Sequence, residues 1–411
     1  MQKKSKYFLI LFLFLFQRVV FSQFSEANIT ALGMRLDSII APVRDAGITV
    51  STKVIHADYD KTLYEYQPEA KVIPASITKL VTSACAFTKL GQSYNFITAV
   101  YTDDNNIKNG IINGNLYIKG FGDPDLNSSD IDLLAGLVVQ RNIKEITGNI
   151  VADDSYFDNN YHALSGQYNG DTGPSYWPYI SALTLDKNEG TSDPSLSAAT
   201  LLSSDLTAKG ITVTGTVISG TTPKGAKEIG RTTHTIFDVM TNMDKESDNL
   251  SAITIFKLLG AKLVSNPGTL EKGQEVIQSF LSEIGIDRYS YEILEGSGLT
   301  RYNKVNADMY VKLLKYMYDD RFLFDYYYNT LPIAGKDGTL KSRMMGTEAE
   351  GNVHAKTGTL NGVSSLAGYV VDRDNEILIF FLVMNGFGGR ATPMHEVQDD
   401  FCVTLAQFVR Q

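Results

Sequence analysis

The stretch Ile73-Pro-Ala-Ser-Ile-Thr-Lys-Leu80 places a serine two residues after a proline and a lysine three residues beyond the serine. Two readings compete for it. A serine ahead of an apolar run is an ordinary helix start, and residues 76–90 read as a helix closed by Gly91, in the position past the last turn that glycine favours. On such a helix, positions i and i+3 share a face, so the side chains of Ser76 and Lys79 meet. A serine hydroxyl attacks only when something takes its proton. A lysine does so once burial or a neighbouring cation lowers its pKa. Chance alone supplies roughly one Ser-x-x-Lys in a chain this long, so the rest of the sequence has to decide.

The chain has 411 residues, enough for two or more cores. At 43% apolar and 20% charged, its composition is globular. Lys3, Lys4 and Lys6 precede the apolar run 7–16, and Val20-Phe21-Ser22 follows, the pattern of a secretory signal over 1–22. The run is too short to span a bilayer, so an exported, periplasmic or envelope-associated mature chain without a membrane span is expected. Without residues 1–22 the chain keeps 33 basic against 46 acidic side chains, a net of −13. That balance excludes nucleic acid and anionic membrane surfaces as expected partners. Cys85 and Cys402 could pair in an oxidising compartment, and their apolar helix faces read rather as those of buried free thiols; distance between them decides. No Cys/His spacing indicates a metal site, and no cofactor is expected.

Periodicity divides the rest. An amphipathic helix over 28–44 leads into a hairpin, 48–55 and 62–66. After the Ser76 helix, residues 92–230 change texture: short β runs (95–101, 114–119, 145–152, 211–218), turn clusters and two helices, with no internal repeat seen. From 235 onward helices return (235–243, 248–263, 269–284, 305–318). Two strong strands, 365–371 and 376–384, and a final helix, 393–409, close the chain. The expected architecture is α/β: a sheet flanked by helices, built from 23–91 and 231–411 and interrupted by a β-rich insert, 92–230.

Two further triplets bear on Ser76. Lys356-Thr357-Gly358 sits in His354-Ala-Lys-Thr-Gly-Thr-Leu360, beside the C-terminal strands. Lys356 offers the second cation that would help keep Lys79 neutral. Gly358 would let a substrate backbone approach, and the N–H of Thr359 would join that of Ser76 as an oxyanion hole. Thr-Gly would serve a simple β-turn equally well. Ser247-Asp248-Asn249 falls between two helices, where Ser247 could pass a proton and Asn249 could hold a substrate carbonyl. Ser-Asp is also a good N-cap. Ser93-Tyr94-Asn95 is set aside, since it ends the same helix that Ser76 begins. His354 reads as a strand residue, and no Gly-x-Ser-x-Gly elbow is present.

Ser-x-x-Lys, Ser-Asp-Asn and Lys-Thr-Gly in this order resemble the signature of β-lactamases and penicillin-binding proteins. The flanking runs Gly120–Asp125, Val151–Phe157, Ser181–Leu185, Gly296–Arg301, Leu331–Leu340 and Ala355–Gly386 narrow the resemblance. The chain looks like the D-alanyl-D-alanine carboxypeptidase/endopeptidase family, the class C low-molecular-mass penicillin-binding proteins. That resemblance implies a transpeptidase-like fold and hydrolysis of peptidoglycan stem peptides, with β-lactams as covalent inhibitors. It makes Ser76 the nucleophile and Lys79 its base. Ser247 and Asn249 form the second wall, and Lys356 engages the substrate carboxylate with Thr357 and Gly358 beside it. Asp123 and Arg301 become candidates for the two ends of a diaminopimelate side chain. The insert is shorter than in larger members, and Asn361 stands where some members carry glutamine. A β-lactamase or esterase on the same scaffold, or a non-catalytic peptidoglycan-binding protein, is the alternative.

Overall fold

The computed structural model describes residues 24–164 and 177–411. The expected signal over 1–22 lies outside the described residues.

One antiparallel sheet joins the two ends of the chain. It runs β11 (Val353–Leu360), β12 (Val363–Val371), β13 (Ile377–Asn385), β1 (Thr49–His56), β2 (Lys61–Tyr66). The join is β1 against β13, in register from Thr49↔Asn385 to His56↔Leu378. Strand β13 shows why both faces are covered. Leu378, Phe380, Leu382 and Met384 enter one core with α1 (Glu26–Asp45) and α10 (Thr392–Ala406). The alternate residues Ile379, Phe381 and Val383 enter another, with α2 (Thr78–Leu90) and a helical layer. That layer comprises α5 (Ile236–Glu246), α6 (Asn249–Leu263), α7 (Leu270–Glu283), α8 (Ala307–Asp319) and α9 (Phe324–Thr330). Each fully buried Leu, Ile or Phe contributes ~1.5–3 kcal/mol of transfer free energy. Cys85 and Cys402 are buried and unpaired, one in each of these two cores.

Residues 92–230 carry two smaller sheets. One runs β10 (Lys227–Thr235), β3 (Asn95–Thr102), β5 (Leu116–Gly120), β7 (Ile150–Asp153), β9 (Val217–Ser219). The other is parallel: β4 (Ile111–Ile112), β6 (Glu145–Ile146), β8 (Thr212–Val213). Helices α3 (Ser128–Gln140) and α4 (Pro194–Ala208) complete a core lying between Val100 and Ile229. The boundary is not clean, because Phe157, Trp177 and Ile180 pack into the large helical core instead.

The structure corrects two expectations here. The runs 145–152 and 211–218 are each two strands, which pass from the three-stranded sheet to the five-stranded one. A repeat is also present: Ile111-Ile-Asn-Gly-Asn-Leu116, Glu145-Ile-Thr-Gly-Asn-Ile150 and Thr212-Val-Thr-Gly-Thr-Val217 stack as three rungs. The Asn115 side chain accepts from Asn149 N–H (2.7 Å), and that of Asn149 from Thr216 N–H (2.9 Å). The glycines between them touch backbone to backbone, so a Cβ on Gly148 would overlap the Gly114 carbonyl. Gly148→Ala should therefore lower stability by ~1–3 kcal/mol in urea unfolding. Gly136→Ala, with open space around it on α3, should be neutral or slightly stabilising.

Candidate active site

Helix α2 is buried from Thr78 to Phe87, so its polar residues need internal partners. Thr78 Oγ1 donates to Ala75 O (2.9 Å), Thr82 Oγ1 to Gly296 O (2.8 Å) and Ser83 Oγ to Asp244 Oδ2 (2.7 Å). Ser76 does not cap this helix. It lies in a single 3₁₀ turn over Ala75–Ile77, and neither that turn nor α2 has a side-chain N-cap. The half-buried Ser76 hydroxyl instead accepts from Lys79 Nζ (3.0 Å). Ala75, just before it, is left-handed at φ +51°, a cost borne where surrounding structure enforces it.

Lys79 is fully buried and also donates to Asn249 Oδ1 (2.7 Å) and Ser297 O (2.8 Å). Burial lowers its pKa to about 8, against the pull of Glu295, Asp248 and Asp244. Asn249 is the first residue of α6, Asp248 caps that helix, and Ser247 sits before it at φ +59°. The Ser247 N–H closes α5 on Met243 O.

Lys356 is fully buried on β11, the edge strand of the large sheet. Burial first, and the Lys79 charge second, lower its pKa. The expectation was that Lys356 would depress Lys79. The two buried amines repel each other, and each lies below its ordinary range chiefly through burial; Lys356 Nζ donates to the Thr357 carbonyl (3.1 Å). Ala355 N–H points away from β12, to Pro332 O (3.0 Å). Two and four residues on, the N–H groups of Thr357 and Thr359 face the same free edge. Gly358 has a different reason to be glycine than the one expected. Its side-chain direction is filled by Ser365 Oγ, Pro74 O and Ser76 N, the last two at 2.8 Å from where a Cβ would stand. It admits the Ser76 turn, not a substrate.

Several supports escaped the sequence reading. Asp244 is buried among Ser83, Thr330 and the two lysines; burial raises its pKa, and its Oδ1 has no hydrogen-bond partner. Glu295 holds the Gly296–Arg301 run, accepting from the N–H groups of Ser297 (2.6 Å) and Gly298 (2.7 Å), and so aims the Ser297 carbonyl at Lys79. The Leu331–Leu340 run ties the two walls together. Asp337 accepts from Lys245 (2.6 Å), and Thr339 meets Thr357, oxygen to oxygen, at 2.7 Å.

The candidates for side-chain recognition separate. Asp123 is only 1% exposed, with Oδ2 on His234 Nδ1 (2.8 Å) and Oδ1 on Asp125 N–H (3.1 Å). A buried carboxylate with both oxygens engaged has a structural role, which corrects its expected place on the substrate. Arg301 donates to Asn361 O (2.9 Å), at the end of β11. His354 is a strand residue stacked on Tyr328 at 3.8 Å.

A serine and a buried lysine in contact, an asparagine from a second wall and a lysine on an edge strand define a serine hydrolase of the Ser-x-x-Lys type. The chain belongs to the D-Ala-D-Ala carboxypeptidase 3 (S13) family, whose model matches residues 32–192 and 189–407. It is 28% identical to a D-alanyl-D-alanine carboxypeptidase of Actinomadura sp. strain R39, over 93% of this chain and 86% of the relative. It is 25% identical to a Haemophilus influenzae D-alanyl-D-alanine carboxypeptidase over 89% of both. Its fold resembles the crystal structure of penicillin-binding protein 4 from H. influenzae, with a TM-score of 0.77 at 22% identity, covering 93% of this chain and all of that one. No helix among the described residues is long and apolar enough to cross a membrane.

Proposed function

We propose that the protein hydrolyses the D-Ala-D-Ala end of peptidoglycan stem peptides, and the D-Ala–diaminopimelate cross-link, through an ester on Ser76. Penicillins would acylate the same oxygen. The carrying observation is the 3.0 Å contact between Ser76 Oγ and Lys79 Nζ, on an amine that burial brings to about 8. About one Lys79 in ten is then neutral at pH 7, enough for a general base.

In this reading the scissile carbonyl lies against the N–H groups of Ser76 and Thr359. Lys79 takes the Ser76 proton as the Oγ–C bond forms, and the oxyanion rests on those two donors. Ser247 relays that proton from Lys79 to the leaving amine as the C–N bond breaks, which returns Lys79 to its neutral form. Water then adds to the ester and gives a proton to Lys79, and Ser76 recovers that proton as the C–O bond breaks. Asn249 holds Lys79 and the substrate amide. Lys356 meets the terminal carboxylate, an anion that would supply the counterion it lacks and restore its charge. A charged Lys356 would then favour neutral Lys79, so binding and base activation reinforce each other. Residues 1–22 fit an export signal to the cell envelope, and 92–230 an inserted unit.

A synthetic peptide ending in D-Ala-D-Ala should lose one D-Ala, and mass spectrometry of cross-linked muropeptides should show dimers cut to monomers. Penicillin should give a burst of one equivalent with little turnover. Sustained penicillin hydrolysis without D-Ala release would overturn the assignment in favour of a β-lactamase.

A further inference from the structure

A side chain from the β-rich segment 92–230 reaches the Ser-Asp-Asn loop. Lys187 Nζ donates to Asp248 Oδ2 (2.9 Å), to Ser251 Oγ (3.0 Å) and to the Asp125 carboxylate. Asp125 also accepts from Asn242 Nδ2 on α5 (2.7 Å). Asp248 caps α6 by accepting the N–H groups of Leu250 (3.0 Å) and Ser251 (3.3 Å). Between cap and first turn stands Asn249, whose amide oxygen takes the hydrogen bond from Lys79. Burial opposes the Lys187 charge, but Asp248 and Asp125 outweigh it and raise its pKa. Burial likewise opposes the Asp248 charge, and Lys187 with Ser251 keeps that carboxyl below its usual range.

The backbone that delivers Lys187 is strained. Asp186, Lys187 and Asn188 are consecutively left-handed, at φ +45°, +57° and +60°. Aspartate and asparagine tolerate that region through local side-chain hydrogen bonds. Asn188 makes such a bond, accepting from Leu185 N–H (3.0 Å), whereas Asp186 accepts from Ser128 N–H (3.0 Å), 58 residues away. Lysine has no such local device. Its hydrogen bonds go to Asp125, Asp248 and Ser251, all at least 61 residues away in sequence. Strain of this kind persists where the surroundings over-determine it, and it clusters at functional sites.

We propose that Lys187 is a positioning residue for the acyl-transfer site. By holding Asp248 and Ser251 it fixes the first turn of α6, and with it the Asn249 amide against Lys79. The segment 92–230 is thereby coupled to the catalytic base. The proposal rests on the reading of Ser76 as nucleophile, and its test separates the two.

Lys187→Met keeps the stem and removes the charge and donors. Its Ser76 should be acylated by a fluorescent penicillin about tenfold more slowly or worse, as small misplacements near a reacting centre cost. Its thermal midpoint should stay within a few degrees of the parent. Lys187→Arg, which keeps charge and several donors, should recover most of the rate. Asp125→Asn should slow the parent but add nothing in the Lys187→Met background, since the two act through one contact. If Lys187→Met acylates as fast as the parent, or Lys187→Arg is as slow as Lys187→Met, the positioning role is wrong while the nucleophile stands. Should Lys187→Met fail to fold, an unchanged rate in Asp125→Asn overturns the proposal. A parent protein unlabelled at Ser76 would sink the underlying site instead.

Discussion

Lys79→Met should slow the acylation of Ser76 by penicillin about 10²- to 10⁴-fold, the usual worth of a positioned general base. The neutral amine does the work, and burial brings its pKa to about 8. The parent rate should therefore rise as pH climbs towards and past 8, then level off. In Lys79→Met that rise should vanish, because the group that titrates is gone. Stopped-flow labelling over about three pH units spanning that pKa measures both. Ser76→Ala fixes the zero of the scale, with no covalent adduct in intact-mass spectra. A rate in Lys79→Met that keeps the parent's pH dependence would assign the base elsewhere, with Lys356 next in line.

Gly298→Ala should damage both fold and chemistry. Gly298 is left-handed at φ +81°. A Cβ there would overlap the Ala75 carbonyl and come within 2.8 Å of Thr78 Oγ1. Overpacking of this kind costs about 1–3 kcal/mol, and the left-handed backbone adds roughly 1–2 kcal/mol for any residue with a side chain. The clash pushes on the turn that carries Ser76, itself preceded by the left-handed Ala75. Acylation should fall by about a hundredfold in whatever fraction still folds, since a displacement near 1 Å is enough to do that. Urea unfolding and the labelling rate at saturating folded protein separate the two losses. A variant that folds at parent stability and acylates at parent rate would show that the turn has slack.

Local chemistry was legible without the fold. Ser76 and Lys79 are three apart on one helical stretch, so their contact needed only helix geometry. The unbroken apolar run 377–384 read as a strong strand, with its burial on both faces left to the structure, and the cysteines read as core residues, which they are. Glycine at 358 could be seen as special, but not for its actual reason, and Gly298 was only one residue of the Gly296–Arg301 run. At 358 the neighbour is the Ser76 turn, 282 residues earlier in the chain (358 − 76), and nothing near Gly358 names it. Asp123 illustrates the same limit from the other side. The family resemblance offered it to a ligand, whereas His234, 111 residues away, takes the charge. The three rungs, Gly-Asn twice and Gly-Thr once, were visible as text, but only hydrogen bonding between them shows that they are a repeat.

What the sequence determined alone was the reaction class, because nucleophile, base and the two further triplets are residue types in a fixed order with one short-range contact among them. What only the tertiary structure decided was the state of those groups. Packing the Ser76 turn and α2 against β11, α5 and α6 buries Lys79, Lys356 and Asp244 together, and burial sets their protonation more than their own neighbours in sequence do. The same packing decides which carbonyls Lys79 meets, and the 92–230 segment brings Lys187 to the cap of α6. A pKa is a property of surroundings, and the surroundings of these groups are assembled from segments hundreds of residues apart.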